Sequence, residues 1–246
     1  MKERPHSLIV GGTRGIGRVL TENLARAGQK VSVIGRRVPE KPFPLGIRVW
    51  PVDLLDAARL KEALTAIIAR DGRLNSLVCL QRFKADGDQW VGEIATSLSA
   101  TRQIIEHLTD QFRSGQNNSI VLVSSAASTV VAAEQSAGYH VAKAGLNQLA
   151  RYYAVVLGAR GIRVNVVSPG TILKPENRNY YLKHKKLQQV FQKTIPLGRM
   201  GTAEEIAEVI AFISSPLASF VTGQTLLVDG GVNLLSTETL ARTLAG

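Results

Sequence analysis

Seven residues near the start of the chain, Gly11-Gly12-Thr13-Arg14-Gly15-Ile16-Gly17, join the apolar run Ser7 to Val10 to a segment where Val19, Leu20, Leu24 and Ala27 recur at helical spacing up to Gly28. The order is strand, glycine turn, helix. Glycines in such a turn let backbone amides come close to a pyrophosphate, and the helix N-terminus adds free N–H groups and partial positive charge. A flexible loop would explain the glycines alone, but their place between strand and helix favours an anion cradle.

The rest of the chain repeats the alternation. Lys30 to Gly35 reads as a second strand that ends on Arg36-Arg37, where many dinucleotide folds carry an acid for the ribose 2′-hydroxyl. Two guanidiniums there suit the 2′-phosphate of NADP instead, with Arg14 as a second contact. A proline-bearing loop leads to a strand from Ile47 to Val52. Asp53 follows it, placed either to accept from an adenine amino group or to cap the helix from Ala57 to Ala69. Further strands are expected at Leu74 to Leu80, Ser119 to Val123, Gly161 to Val167 and Thr225 to Val228. A long helix is expected from Trp90 to Phe112, an irregular basic stretch from Leu173 to Arg199, and a helix capped by Thr202 with Glu205 in a capping box. About seven strands separated by helices, with no linker or repeat, predict an α/β protein of one domain over residues 1–246. Its architecture is a Rossmann-like doubly wound parallel sheet.

Composition removes several functional classes. Cys79 is the single cysteine, and the four histidines are scattered, so neither a disulfide nor a metal centre is expected. No apolar window is long enough for a bilayer, and Met1 to Ser7 lacks a signal-peptide pattern, which predicts a cytoplasmic protein with no membrane partner. The net charge of +11 favours anionic partners, but aromatics make up only 5% and do not interleave with basic runs, which argues against nucleic acid.

The candidate chemistry lies at Tyr139 and Lys143, which share one face if their stretch is helical. A cation beside a phenol favours its anionic form, which suits Tyr139 to give and take a proton. The strand Ser119 to Val123 runs into Ser124-Ser125 just ahead of that helix.

Gly11-x-x-x-Gly15-x-Gly17, Ser125, Tyr139-x-x-x-Lys143, Pro169-Gly170 and the run IPLGRMGTAEEIA…FVTGQTLLVDGG from Ile195 to Gly231 together resemble the short, single-domain branch of the short-chain dehydrogenase/reductases. The pattern is similar to that of 3-oxoacyl carrier-protein reductases and covers nearly the whole chain. The resemblance implies hydride transfer between nicotinamide C4 and a ketone or alcohol carbon, with NADP(H) as cofactor. Tyr139 would be the acid/base, Lys143 would hold the nicotinamide ribose and support Tyr139, and Ser125 would hydrogen-bond the substrate oxygen. Cofactor contacts are implied at Gly11, Thr13, Arg14, Gly15, Ile16, Gly17, Arg36, Arg37, Asp53, Leu54, Tyr139, Lys143, Pro169, Gly170 and Ile172.

Three positions depart from the family pattern. Cys79-Leu80-Gln81-Arg82 stands where the family usually has Asn-Asn-Ala-Gly, with Cys79 expected as a buried small hydrophobe and Gln81 or Arg82 as a phosphate contact. Ser97 aligns with the catalytic Asn that helps relay protons to the Lys, and is expected to serve the same relay with shorter reach. Lys174 replaces a Thr, either to contact phosphate or to face solvent. Residues 173–200 should form a substrate lid whose lysines and arginines oppose only Glu176, which suggests an anionic substrate such as an acyl thioester or a nucleotide-linked carbonyl. The family usually forms homodimers or homotetramers, and the tail from Asn233 is expected on a neighbouring subunit. The competing expectation is a catalytically weak NADP-binding scaffold or sensor.

Overall fold

The computed structural model describes residues 4–44, 47–115 and 117–245. In chain order the elements are β1 (His6–Val10), α1 (Gly15–Arg26), β2 (Lys30–Gly35), β3 (Arg48–Pro51), α2 (Ala57–Asp71), β4 (Ser76–Cys79), α3 (Gln89–Glu93), α4 (Ala100–Leu108), β5 (Asn118–Val123) and α5 (Ala137–Gly158). They continue with β6 (Ile162–Pro169), β7 (Ile172–Leu173), α6 (Pro175–Lys183), α7 (Lys185–Thr194), β8 (Gly201–Thr202), α8 (Ala203–Ser214), β9 (Thr225–Val228) and α9 (Thr237–Ala245). Seven strands form one parallel sheet in the order β3-β2-β1-β4-β5-β6-β9.

Every residue of β1, β4, β5 and β6 is buried, as expected when helices cover both faces of a parallel sheet. Side chains alternate between two cores because the strand period is two. Leu8, Val10, Ile120, Leu122, Val164 and Val166 point to the side where α2, α4 and α5 pack. Ile9, Val121, Val123 and Val167 point to the side of α1 and α8. Each large apolar side chain so buried stabilises the fold by about 1.5–3 kcal/mol. The strand order reverses direction between β1 and β4, so a crevice opens beyond the carboxyl ends of those strands.

Two expectations about the helices are corrected. The long helix is not continuous: between α3 and α4 the chain widens into a π-helical segment, Ile94–Ser99. Side chains take part of the carbonyl ladder there, with the Thr101 hydroxyl donating to Ser97 O (2.7 Å) and Gln81 Nε2 reaching Thr96 O (3.5 Å). The basic stretch is not irregular but holds α6 and α7. Pro175 opens α6, and Asn177 Oδ1 accepts from the Lys174 N–H (2.7 Å). The tail forms α9, which packs against α7 of its own chain. Gly246 lies outside the described residues.

Candidate active site

The crevice collects the ends of six strands. After β1, Gly11 has φ +84°, and a Cβ there would lie 2.8 Å from the Gln81 backbone nitrogen, so only glycine fits. A Cβ on Gly17 would collide with the Gly11 carbonyl oxygen, so this glycine lets α1 start directly under the turn. Arg14 occupies the N-cap with no side-chain cap bond, and no acid sits in the first turn of α1. The first N–H groups of the helix therefore have no side-chain acceptor, and the cradle fits the pyrophosphate of a dinucleotide. Thr13 packs on Gly35, Gly15 is buried, and Ile16 rests against the core beside α1.

Arg36 and Arg37 follow β2 and line an open depression with Asp53, Lys84, Ala85 and Asp86. Arg36 Nη2 donates to Lys84 O (3.0 Å). Of the two roles open to Asp53, capping is excluded: Asp56 caps α2 by accepting from the Arg59 N–H (3.0 Å). Asp53 Oδ1 accepts from the Leu55 N–H (3.0 Å), which holds its loop, and Leu54 packs on the core. Pro169 ends β6, Gly170 abuts Asp229, and Ile172 is buried in β7.

At the end of β5 the two serines part company. Ser124 is buried, and its hydroxyl donates to the Lys143 carbonyl (2.8 Å). Ser125 is half-buried and caps the short turn Ala126–Ser128, which Asn147 ties to α5 through Ser128 Oγ (3.0 Å). Tyr139 and Lys143 share a face of α5, with the ammonium 5.7 Å from the ring centroid. Lys143 Nζ donates to Val123 O (2.8 Å) and is only 3% exposed. Burial pulls its pKa down to about 8, opposed by Glu93 and reinforced by Arg82 and Lys174. Ser125, Tyr139 and Lys143 are thus brought to one end of β5 and α5.

The departures settle in different ways, and Cys79 alone lies where expected. Gln81 does not face a phosphate: it is buried, and its Nε2 donates to Thr101 Oγ1 (2.7 Å), because α4 offers it an acceptor inside the fold. Arg82 lies over the Tyr139 ring, its Cζ 4.5 Å from the centroid, and its Nη2 donates to Gln135 Oε1 (3.2 Å). Ser97 is fully buried, and its hydroxyl donates to Glu93 Oε2 (2.8 Å). Lys174 does not project into solvent: it is half-buried beside the glycine turn, its Cδ 3.5 Å from where a Gly15 Cβ would stand, with Glu176 equally close. Cys79 is buried, its thiol pushed up to about 12. Glu93 escaped sequence reading. The available signal was an acid four residues before Ser97 on an otherwise apolar helix face.

A family model described as enoyl-(acyl carrier protein) reductase matches residues 10–233. The chain belongs to the short-chain dehydrogenase/reductase family. Among its relatives, the senescence-associated protein 13 of Arabidopsis thaliana is 33% identical over 95% of this chain and 93% of that protein. The 3-oxoacyl-(acyl-carrier-protein) reductase of Salmonella typhimurium is 32% identical over 93% of this chain and 97% of its own. The ligand-free aldohexose dehydrogenase of Thermoplasma acidophilum superposes with a TM-score of 0.85 at 23% identity, covering 96% of each chain. As a short-chain dehydrogenase/reductase the chain is an oxidoreductase that uses a nicotinamide cofactor and acts on small molecules.

Proposed function

We propose that this short-chain dehydrogenase/reductase is an NADP(H)-dependent carbonyl reductase or alcohol dehydrogenase in which Tyr139 is the acid/base. The observation that carries the reading is Lys143, buried and pinned to Val123 O beneath the Tyr139 ring, with the Ser125 hydroxyl accepting from the Ala127 N–H but keeping its own proton to donate, while the Ser124 hydroxyl donates to backbone. A scaffold would gain nothing from burying that cation. When bound, the cofactor supplies a hydride from nicotinamide C4. In the reductive direction Ser125 holds the substrate oxygen by hydrogen bond, and the Tyr139 hydroxyl delivers a proton to it as negative charge develops there. Lys143 keeps positive charge next to the phenol and offers donors to the nicotinamide ribose. Arg36, Arg37 and Lys84, clustered past β2, support the phosphorylated form of the cofactor over NAD.

The test is loss of NADPH absorbance with a panel of ketones. Tyr139→Phe and Ser125→Ala should each lower kcat/KM at least about 100-fold, and Arg36→Ala with Arg37→Ala should raise the KM for NADPH while sparing that for NADH. Full activity in Tyr139→Phe would remove the proposed acid. The cations Arg14, Arg82, Lys84 and Lys174 around the crevice support an anionic substrate, so KM should rise with ionic strength. A weak scaffold is favoured by one observation, Ser97 turned onto Glu93 where the family keeps its relay Asn. NADPH binding without turnover on any carbonyl would support that second reading.

A further inference from the structure

Among the described residues Glu93 is the only acidic side chain that is fully buried, at 1% exposed. It ends α3 just before the π-helical segment. Gly138 lets α5 come hard against α3, since a Cβ there would lie 2.7 Å from Trp90 Cα. Glu93 Oε2 accepts from the Ser97 hydroxyl (2.8 Å) and from the Phe83 N–H (3.3 Å). Glu93 Oε1 is buried without a hydrogen-bond donor and lies 3.6 Å from Arg82 Nη2.

A buried carboxylate is costly unless charges of the other sign surround it. The charged and titratable groups facing Lys143 are Glu93 from α3, Arg82 from the loop after β4, Lys174 from the junction of β7 and α6, and Tyr139 one turn earlier on α5. Arg82 and Lys174 add two cations to Lys143, Glu176 stands beside Lys174 at the exposed edge, and Glu93 is the only buried anion among the described residues. A neutral acceptor would serve Ser97 equally well, so the charge on Glu93 needs a reason beyond helix geometry.

We infer that Glu93 is a positioning residue whose buried carboxylate is the counterion of Arg82, aiming the Arg82 guanidinium at the Tyr139 ring and setting a negative charge in the neighbourhood of Lys143. The two sequence departures, Arg82 and Ser97, then form one unit, since both bind this carboxylate. The inference rests on the reading of Tyr139 and Lys143 as the proton-handling pair. Burial has drawn Lys143 down to about 8, and Glu93 is the attraction that stops it falling further.

The experiment is an NMR pH titration of the intact protein with isotope-labelled lysine side chains, Lys143→Met assigning the signal. The Lys143 midpoint should lie near 8 in the natural protein. In Glu93→Gln, which keeps an acceptor for Ser97 and removes the charge, it should fall by about one pH unit, and the high-pH limb of kcat should move acidward with it. In Arg82→Leu the midpoint should rise, because a repelling cation is gone. An unchanged midpoint in Glu93→Gln overturns the assignment; if that variant does not fold, a midpoint in Arg82→Leu that fails to rise does so. The titration reads Lys143 without turnover, so it stays separate from Tyr139→Phe, whose full activity would sink the functional reading alone.

Discussion

The hydroxyls of Ser124 and Ser125 are chemically alike and one residue apart, yet the fold gives them different tasks. Ser124 Oγ donates to the carbonyl of Lys143, so it anchors α5 at the level of the lysine. Ser124→Ala leaves that buried carbonyl short of a donor and should cost about 1–3 kcal/mol in urea denaturation, with the chemistry of Ser125 retained. Lys143 has a pH signature of its own. Its folded pKa, about 8, lies below the ordinary 10.5, so between those values the unfolded chain binds more protons than the folded one. Stability therefore rises as pH climbs from about 8 to 10.5, by up to roughly 3 kcal/mol. Lys84 and Lys174, also lowered by burial, act in the same direction, so denaturation of the natural protein and of Lys143→Met across that range should show the larger rise in the former. The spacing of Tyr139 and Lys143 was legible in the sequence because a helix turn fixes it. The family resemblance singles out Ser125, but what occupies Ser124 instead was not legible, since it depends on which hydroxyl meets a carbonyl nineteen residues away in the chain.

Among the elements, those set by neighbours along the chain were the easiest to read. The capping box of α8 was visible as Thr202 and Glu205, and both of its bonds form: the Thr202 N–H to Glu205 Oε2 (2.8 Å) and the Glu205 N–H to Thr202 Oγ1 (3.3 Å). The glycine turn was legible for the same reason. Gly17→Ala places a methyl against the Gly11 carbonyl, so it should cost roughly 1–3 kcal/mol and weaken cofactor binding more than tenfold, measured by denaturation and by quenching of the cofactor fluorescence. The break between α3 and α4 was hidden, because the apolar spacing of Ile94, Leu98 and Ile104 runs on through it. The interruption comes from Gln81 and Thr101, which pair across twenty residues. The helices α6 and α7 were also missed: their side chains are mostly exposed and polar, and α6 carries no apolar stripe.

On the scale of the whole molecule, the outer face of α5 leaves Tyr152, Val155 and Val156 exposed, Val155 at 84%. Such a face on a well-packed domain is what a second copy of the chain covers, so we expect a homodimer or homotetramer through α5. Light scattering at micromolar concentration should give at least twice the mass of one chain, and Val155→Asp should reduce it to one. α9 packs against α7. The order of the strands, the glycine cradle and the Tyr139 to Lys143 spacing were determined by the sequence alone, because each depends on residues within a few positions of one another. The meeting of Glu93, Arg82, Ser97 and Lys143 came only from the tertiary structure. Those four stand on three separate pieces of chain, which only the packing of α3, α5 and the loop after β4 brings near one another.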